Sequence, residues 1–489
     1  MWPGSISTEN KYHMIPRQDF KEHVNQITEW IQRYFEQLEE LPVKSQVAPG
    51  DILRKLPGHI PEEGEPLEAI MLDMDQIILP GITHWQHPNF HAYFPANSSV
   101  ESVYAEMLTA AIGAQCMIWE TSPAAAELEE RTMDWLAQAM GIPESWEGVI
   151  QDTASSATLV AILTAREVAT AFQSNETGVP NNLRVYCSTQ THSSIEKAVK
   201  IAGLGRQNLV KIPVDDKMAM KAHLLEKAIH QDIQDGYLPC GVVSAVGTTG
   251  TVAVDPIKAI SIICRHYNVW HHIDAAYAGS ALLLPEYQWM IDGIEQADSF
   301  VFNPHKWLFT NFDCTAYYVK DPDILIRTFD ILPEYLRTST RGQVNDYRDW
   351  GIPLGRRFRA LKLWFVLRSY GLTGIQSVLR KHIQLNSQFA EWVKAHPDLE
   401  LMLPPFLNVT CFRAHPQGAS AENLNDLNEH LLADLNASGE AFLTHTKIGD
   451  DYVIRMVLGQ TYVEQENVER TQQLIQRMVE DSKQVSGSK

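Results

Sequence analysis

Short apolar runs at 148–151, 183–187, 241–246, 269–273 and 299–302 alternate with helical stretches, among them Ser155–Phe172 and one that follows His192. This alternation constrains the chain more than any other feature. Strands this short and this apolar must be covered on both faces, and helices returning between them make a mostly parallel sheet. The fold class read from the pattern is therefore α/β. In such sheets ligands sit at the carboxyl ends of the strands, so the polar residues that follow each run are the ones to inspect.

The flanks read differently. Over 18–41, Phe20, Val24, Ile27, Ile31, Phe35 and Leu38 recur at helical spacing until Pro42 stops the helix. A stretch punctuated by Pro49-Gly50, Pro57-Gly58, Pro61, Pro66 and Pro80-Gly81 follows. It reads as a connecting arm, which needs something to lie on. From about 376, helical stretches (376–396, 421–437, 464–480) alternate with strands near 399–403, 408–413, 440–446 and 452–457. The last two strands meet at Gly449-Asp450-Asp451, a hairpin signal in a small α+β unit. The 489 residues thus divide into an arm (1–98), a large domain (99–375) and a small domain (376–489).

Composition excludes several functions. Forty Lys and Arg against 60 Asp and Glu give a net charge of −20, which argues against a nucleic-acid or anionic-membrane partner. The six cysteines show neither C-x-x-C nor zinc spacing with histidine, so no metal site is expected and buried free thiols are. No apolar run approaches the roughly 18 residues of a membrane helix, and the N-terminus has no signal-peptide pattern. A reducing cytoplasm is the expected location. Asn97-Ser98-Ser99 has the form of a glycosylation sequon, and in that compartment it is uninformative.

Five strand ends carry candidate chemistry, and each also has an ordinary structural reading. After 299–302 come Asn303-Pro304-His305-Lys306-Trp307. A lysine desolvated there has a lowered pKa and suits Schiff-base chemistry, although a loop lysine reaching solvent has the same local sequence. Asp274 ends the run Val269–Ile273 and precedes Ala275-Ala276-Tyr277-Ala278-Gly279. It is placed to hold a pyridine nitrogen protonated or to cap a helix. Val242–Val246 leads into Gly247-Thr248-Thr249-Gly250-Thr251, which suits close approach to a flat ligand or a tight turn. Asp152-Thr153-Ala154-Ser155-Ser156 at a helix start suits a phosphate or simple N-capping. His192 precedes Ser193 and Glu196, which fit a capping box. The box leaves the imidazole free to stack on a ring. Neither phosphate-loop nor dinucleotide glycine motif is present.

Taken together, these residues resemble the group II pyridoxal-phosphate decarboxylases, specifically the aromatic-L-amino-acid decarboxylases, from about residue 15 to 475. The most specific runs are Asn303-Pro304-His305-Lys306-Trp307, His272–Ser280, Asp346-Tyr347-Arg348-Asp349-Trp350 and Ile352–Arg359. The resemblance implies a fold type I pyridoxal-phosphate enzyme. Lys306 would carry pyridoxal 5'-phosphate covalently, Asp274 would pair with its ring nitrogen, and His192 would stack on the ring. Ala154, Ser155, Thr249, Ala276, Asn303 and His305 would complete the cofactor site. Trp85, Tyr93, Phe94 and Pro95 match the family's aromatic substrate wall, and Gly355 leaves room for a wide ring.

The resemblance also implies a proton donor, Tyr335, on a lid spanning Thr328–Arg348. It further implies a homodimer in which the arm clasps the partner and the active sites are shared. At Gln115 and Met117 the chain departs from animal members, which carry Ile and Phe reaching in from the partner subunit. The expected reaction is decarboxylation of Trp, 5-hydroxy-Trp, Tyr, DOPA or Phe to the arylalkylamine. The alternative on the same scaffold is aromatic acetaldehyde synthesis, whose members typically replace the lid tyrosine with Phe or the stacking His with Asn.

Overall fold

Each apolar run is a strand in the computed structural model, which describes residues 19–331, 342–417 and 421–486. The strands are β1 (Glu147–Gln151), β2 (Leu183–Ser188), β3 (Leu209–Ile212), β4 (Leu238–Ala245), β5 (Trp270–Asp274), β6 (Ser299–Phe302) and β7 (Thr315–Val319). They form one sheet in the order β1-β7-β6-β5-β4-β2-β3. From β6 to β3 the pairing is parallel, and β7 runs antiparallel to both its neighbours. The sheet is therefore mostly parallel, as the alternation predicts. The sequence pattern missed β3 and β7. β7 joins the sheet after the loop that follows Lys306, with no intervening helix long enough to signal a crossover.

Side-chain alternation assigns each strand residue to a layer. Ile150, Ile273, Phe300, Phe302 and Tyr318 pack into one core, and Val149, Val243, Trp270, Val301 and Tyr317 into another on the opposite face. Every residue of β5, β6 and β7 is buried, so only their ends can present polar groups to a ligand. The six cysteines are free and buried, as expected.

The arm helix covers Phe20–Gln37, and two helices, Val100–Ile112 and Pro123–Met140, lead into β1. A helix from Arg359 to Ala395 links the large sheet to a second, smaller sheet, broken only at Gly371 (φ +62°). Beyond it, β8 (Leu399–Leu401), β9 (Val409–Ala414), β10 (Thr444–Ile448) and β11 (Asp451–Val457) make an antiparallel sheet in the order β10-β11-β9-β8. The β10–β11 hairpin turns at Gly449-Asp450, where the sequence placed it. No helix among the described residues is long and apolar enough to cross a membrane.

Seven histidines are buried, and desolvation pushes the pKa of each down, including His84, and six of them far: to about 4 for His87 and about 3 for His91, His271, His272, His305 and His382. Hydrogen bonding agrees. His305 Nδ1 accepts from the Cys314 N–H (3.0 Å), and His382 Nδ1 accepts from the Trp307 indole N–H (3.0 Å). Protonating either ring would abolish an acceptor. Below pH 6.5 the unfolded chain therefore binds more protons than the native one, and stability falls as the pH falls. The loss is up to about 1.4 kcal/mol per ring for each pH unit. Burial raises Asp255 and Asp298 to about 6, which works in the opposite sense below that pH, but with two groups against six. The melting temperature is expected to drop by more than about 5 °C between pH 7.5 and 5.5. A flat profile across that range would show that these rings are not held neutral.

Candidate active site

A cavity of about 200 Å³ opens at the carboxyl ends of β1, β2, β4, β5 and β6. It gathers ten of the residues singled out above: Phe94, Ala154, Ser155, His192, Thr249, Asp274, Ala276, Asn303, His305 and Lys306. The sheet explains the convergence, because parallel neighbours end at one edge and their next residues must share it.

Lys306 follows β6 in the short helix Pro304–Trp307. Desolvation lowers its pKa, and the carboxylate of Asp274 offsets part of that. The amine therefore spends more of its time neutral than an exposed lysine does, as a nucleophile requires. Its Nζ lies 5.6 Å from the centre of the Phe94 ring. Asp274 is the last residue of β5, and its Oδ1 accepts from the N–H of Ala276 (3.0 Å). The bond is a local turn, and no helix starts there for Asp274 to cap. Asn303 is held by Thr315, whose hydroxyl donates to the Asn303 amide oxygen (2.7 Å) and lies 3.1 Å from the Asp152 carbonyl. The antiparallel β7 thus starts where β1 and β6 end, and steadies both.

His192 corrects one expectation. Ser193 makes no side-chain cap, and Glu196 turns away to Arg206 (2.9 Å) and Lys211 (3.3 Å), so the capping box does not form. The histidine itself takes that place: its Nδ1 accepts from the Ser194 N–H (3.1 Å) and lies 2.8 Å from the Ser194 hydroxyl. This fixes the ring over the cavity. Burial lowers its pKa, with Asp274 raising it and Lys306 lowering it further.

The helix Ala154–Ala169 starts at the cavity. Thr153 caps it by accepting from the Ser156 N–H (3.4 Å). The capping reading is therefore correct, but it uses only one first-turn donor. The N–H groups of Ala154 and Ser155 have no helical carbonyl to bond, and both residues line the cavity. Gly247 (φ +88°) lets the loop after β4 pass against Ala278, since a Cβ there would lie 2.5 Å from the Ala278 Cβ.

The substrate wall divides. Phe94 stacks on Tyr277 (3.9 Å, 9°) inside the cavity, with the buried Arg455 guanidinium 5.1 Å from its centre. Trp85 and Tyr93 instead stack on each other (5.7 Å, 18°) outside its lining, and Pro95 is buried but is not part of that lining either. Gln115, Met117 and Gly355 lie together in another patch. Gln115 Oε1 accepts from the Arg356 N–H (2.7 Å), and the Met117 carbonyl accepts from the Arg348 N–H (2.9 Å). A Cβ on Gly355 would meet only the Gln115 amide, at 3.2 Å. Tyr335 lies outside the described residues.

Sequence reasoning did not single out Tyr277, Thr248 or Phe312, which also line the cavity. Tyr277 and Thr248 sit inside runs already noted. Phe312, whose ring packs 4.6 Å from His305, follows no local signal.

Residues 49–415 match the model for the pyridoxal-dependent decarboxylase conserved domain. The chain is 41% identical to tyrosine decarboxylase 2 of Narcissus pseudonarcissus over 480 residues, 96% of this chain and 95% of that one. It is 40% identical to phenylacetaldehyde synthase of Arabidopsis thaliana, over 94% of this chain and 95% of that one. Its fold is similar to the crystal structure of Catharanthus roseus tryptophan decarboxylase in complex with L-tryptophan. That match has a TM-score of 0.91 and 37% identity, and covers 96% of this chain and 100% of that one.

Proposed function

This chain belongs to the pyridoxal-dependent decarboxylase family, and we propose that it decarboxylates aromatic L-amino acids to arylalkylamines with pyridoxal 5'-phosphate as cofactor. The observation that carries this reading is the convergence of a desolvated lysine, a carboxylate and an aromatic slab in one cavity.

The donor set fits the cofactor. Lys306 offers an amine for its aldehyde, Asp274 a carboxylate for its pyridinium, His192 a ring to stack on it, and the N–H groups of Ala154 and Ser155 partners for its phosphate. Thr249, Ala276, Asn303 and His305 complete the walls. Bound there, pyridoxal phosphate supplies an electron sink for the pair left behind as CO₂ departs. The protein's own work is orientation and proton control. Phe94 is assigned to the aromatic side chain of the substrate, and Trp85, Tyr93 and Pro95, which lie outside the cavity lining, are assigned to an outer part of the wall.

The carbon that loses CO₂ must be reprotonated, and we assign that proton to Tyr335. Tyr335→Phe is expected to divert product from amine toward aldehyde and peroxide, read by quantifying all three. An unchanged amine yield would remove Tyr335 from this role. The similarity to phenylacetaldehyde synthase makes aromatic acetaldehyde synthesis the second reading. His192 and Tyr335, both present here, favour the amine.

Gln115, Met117 and Gly355 are assigned to the active site of a partner subunit in a homodimer. Exposed apolar side chains on the helix Val100–Ile112 (Tyr104, Leu108, Ile112) and on the arm (Ile60, Ile70, Leu72) support such an interface. Six unpaired thiols suit a reducing compartment, and we place the protein in the cytoplasm. The deciding experiment is a substrate panel (Trp, 5-hydroxy-Trp, Tyr, DOPA, Phe, His, Glu) with amine, CO₂ and peroxide quantified. Amine and CO₂ from the aromatic members alone are expected. Turnover of glutamate in preference to them would overturn the reading, and peroxide matching CO₂ would establish the alternative.

A further inference from the structure

We infer that Asn97 is a positioning residue for Lys306, an inference that rests on Lys306 being the covalent anchor of the cofactor. Asn97 belongs to the segment whose only sequence signal was a sequon, yet it is 1% exposed. Its amide nitrogen donates to the carbonyl of Lys306 (2.6 Å) and to that of Gly459 (2.5 Å). Its amide oxygen accepts from the backbone N–H (3.1 Å) and the hydroxyl (3.2 Å) of Thr461. Its own backbone N–H donates to the carbonyl of His305 (2.9 Å).

The arrangement answers a local need. Pro304–Trp307 is only four residues long, so the carbonyls of His305 and Lys306 have no partner within a helix. Residue 97 takes both. The same side chain bonds the loop after β11, so the turn after β6 is tied to that loop through one amide. That loop comes close because residue 459 is glycine: a Cβ there would lie 2.5 Å from the Tyr277 hydroxyl and 3.5 Å from Pro95. Immediately after Asn97, Ser99 and Ser102 form a reciprocal cap on the helix Val100–Ile112, which anchors the segment from its other side.

Asn97 touches neither the cavity nor a reacting atom, and acts by fixing the backbone from which the Lys306 amine projects. Asn97→Ala removes every side-chain bond. Asn97→Asp keeps the acceptor for Thr461 but turns a carboxylate oxygen toward two carbonyls.

The test uses the full-length holoenzyme and reads kcat, KM, melting temperature and the pH midpoint of the bound cofactor's visible absorbance. In both variants kcat is expected to fall about 10- to 100-fold with KM within about threefold, and the absorbance midpoint to move by at least about half a pH unit. Asn97→Asp should be the more severe. A lowered melting temperature with kcat and midpoint unchanged would make Asn97 merely structural and overturn the inference. If neither variant folds, Thr461→Val removes one anchor of the same amide. A smaller shift in the same direction is then expected, and none would overturn it. Borohydride treatment of the wild type separates the two claims. No adduct on Lys306 overturns the covalent-anchor reading, while an adduct with wild-type behaviour in the Asn97 variants overturns this inference alone.

Discussion

Replacing Lys306 with alanine is expected to abolish covalent capture of pyridoxal 5'-phosphate and to lower kcat by about 10³- to 10⁵-fold. We propose this amine as the nucleophile of the cavity, and no other lysine lines it. Arg455, the other buried cation near Phe94 (5.1 Å from the ring centre), is not part of the cavity lining. The fold should survive. Lys306 Nζ has no hydrogen-bonded protein partner among the described residues, and burial already disfavours its charge. Truncation therefore removes a desolvated ammonium and leaves the bonds made by the Lys306 backbone in place. The measurement is peptide mass after borohydride reduction, with the melting temperature alongside. A fixed adduct at another lysine, or a variant that retains turnover, would reject Lys306 as the anchor.

Asp274→Asn is expected to lower kcat by about 10²- to 10³-fold, the range for removing one preorganised electrostatic partner of developing charge. The substitution separates charge from structure. Asparagine keeps an oxygen that can accept from the Ala276 N–H, so the turn after β5 has what it needs. What disappears is the negative charge facing Lys306 and His192, since Asp274 raises the pKa of both groups. A second consequence has a fixed sign: without that charge both groups should titrate at lower pH, so the acid limb of the kcat profile should change along with its height. A variant with full activity, or one lost through unfolding alone, would contradict the assignment.

The residues proposed for the site were legible in the chain because each lies at or just after the end of a strand, and strands are marked locally by their apolar period. Asp274, Asn303, His305, Lys306, Thr249, Ala154 and Ser155 all lie at or just after such ends. The aromatic wall was only partly legible. Tyr93 has a positive φ of 53°, which turns the backbone between neighbours. Phe94 enters the cavity while Tyr93 faces Trp85 and Phe442. Runs of adjacent aromatics do not reveal such a reversal.

The amino-acid order alone was enough for the α/β class, the identity of the strand-end residues and the family, because these depend on local period and contiguous motifs. Three features were decided only by the tertiary structure. β7 enters antiparallel between β1 and β6, His192 displaces an expected capping box, and Asn97 ties the turn after β6 to the loop after β11. The physical reason is separation along the chain. Asn97 bonds partners 209 and 362 residues away, and a hydrogen bond that closes such a distance leaves no trace in the residues beside it.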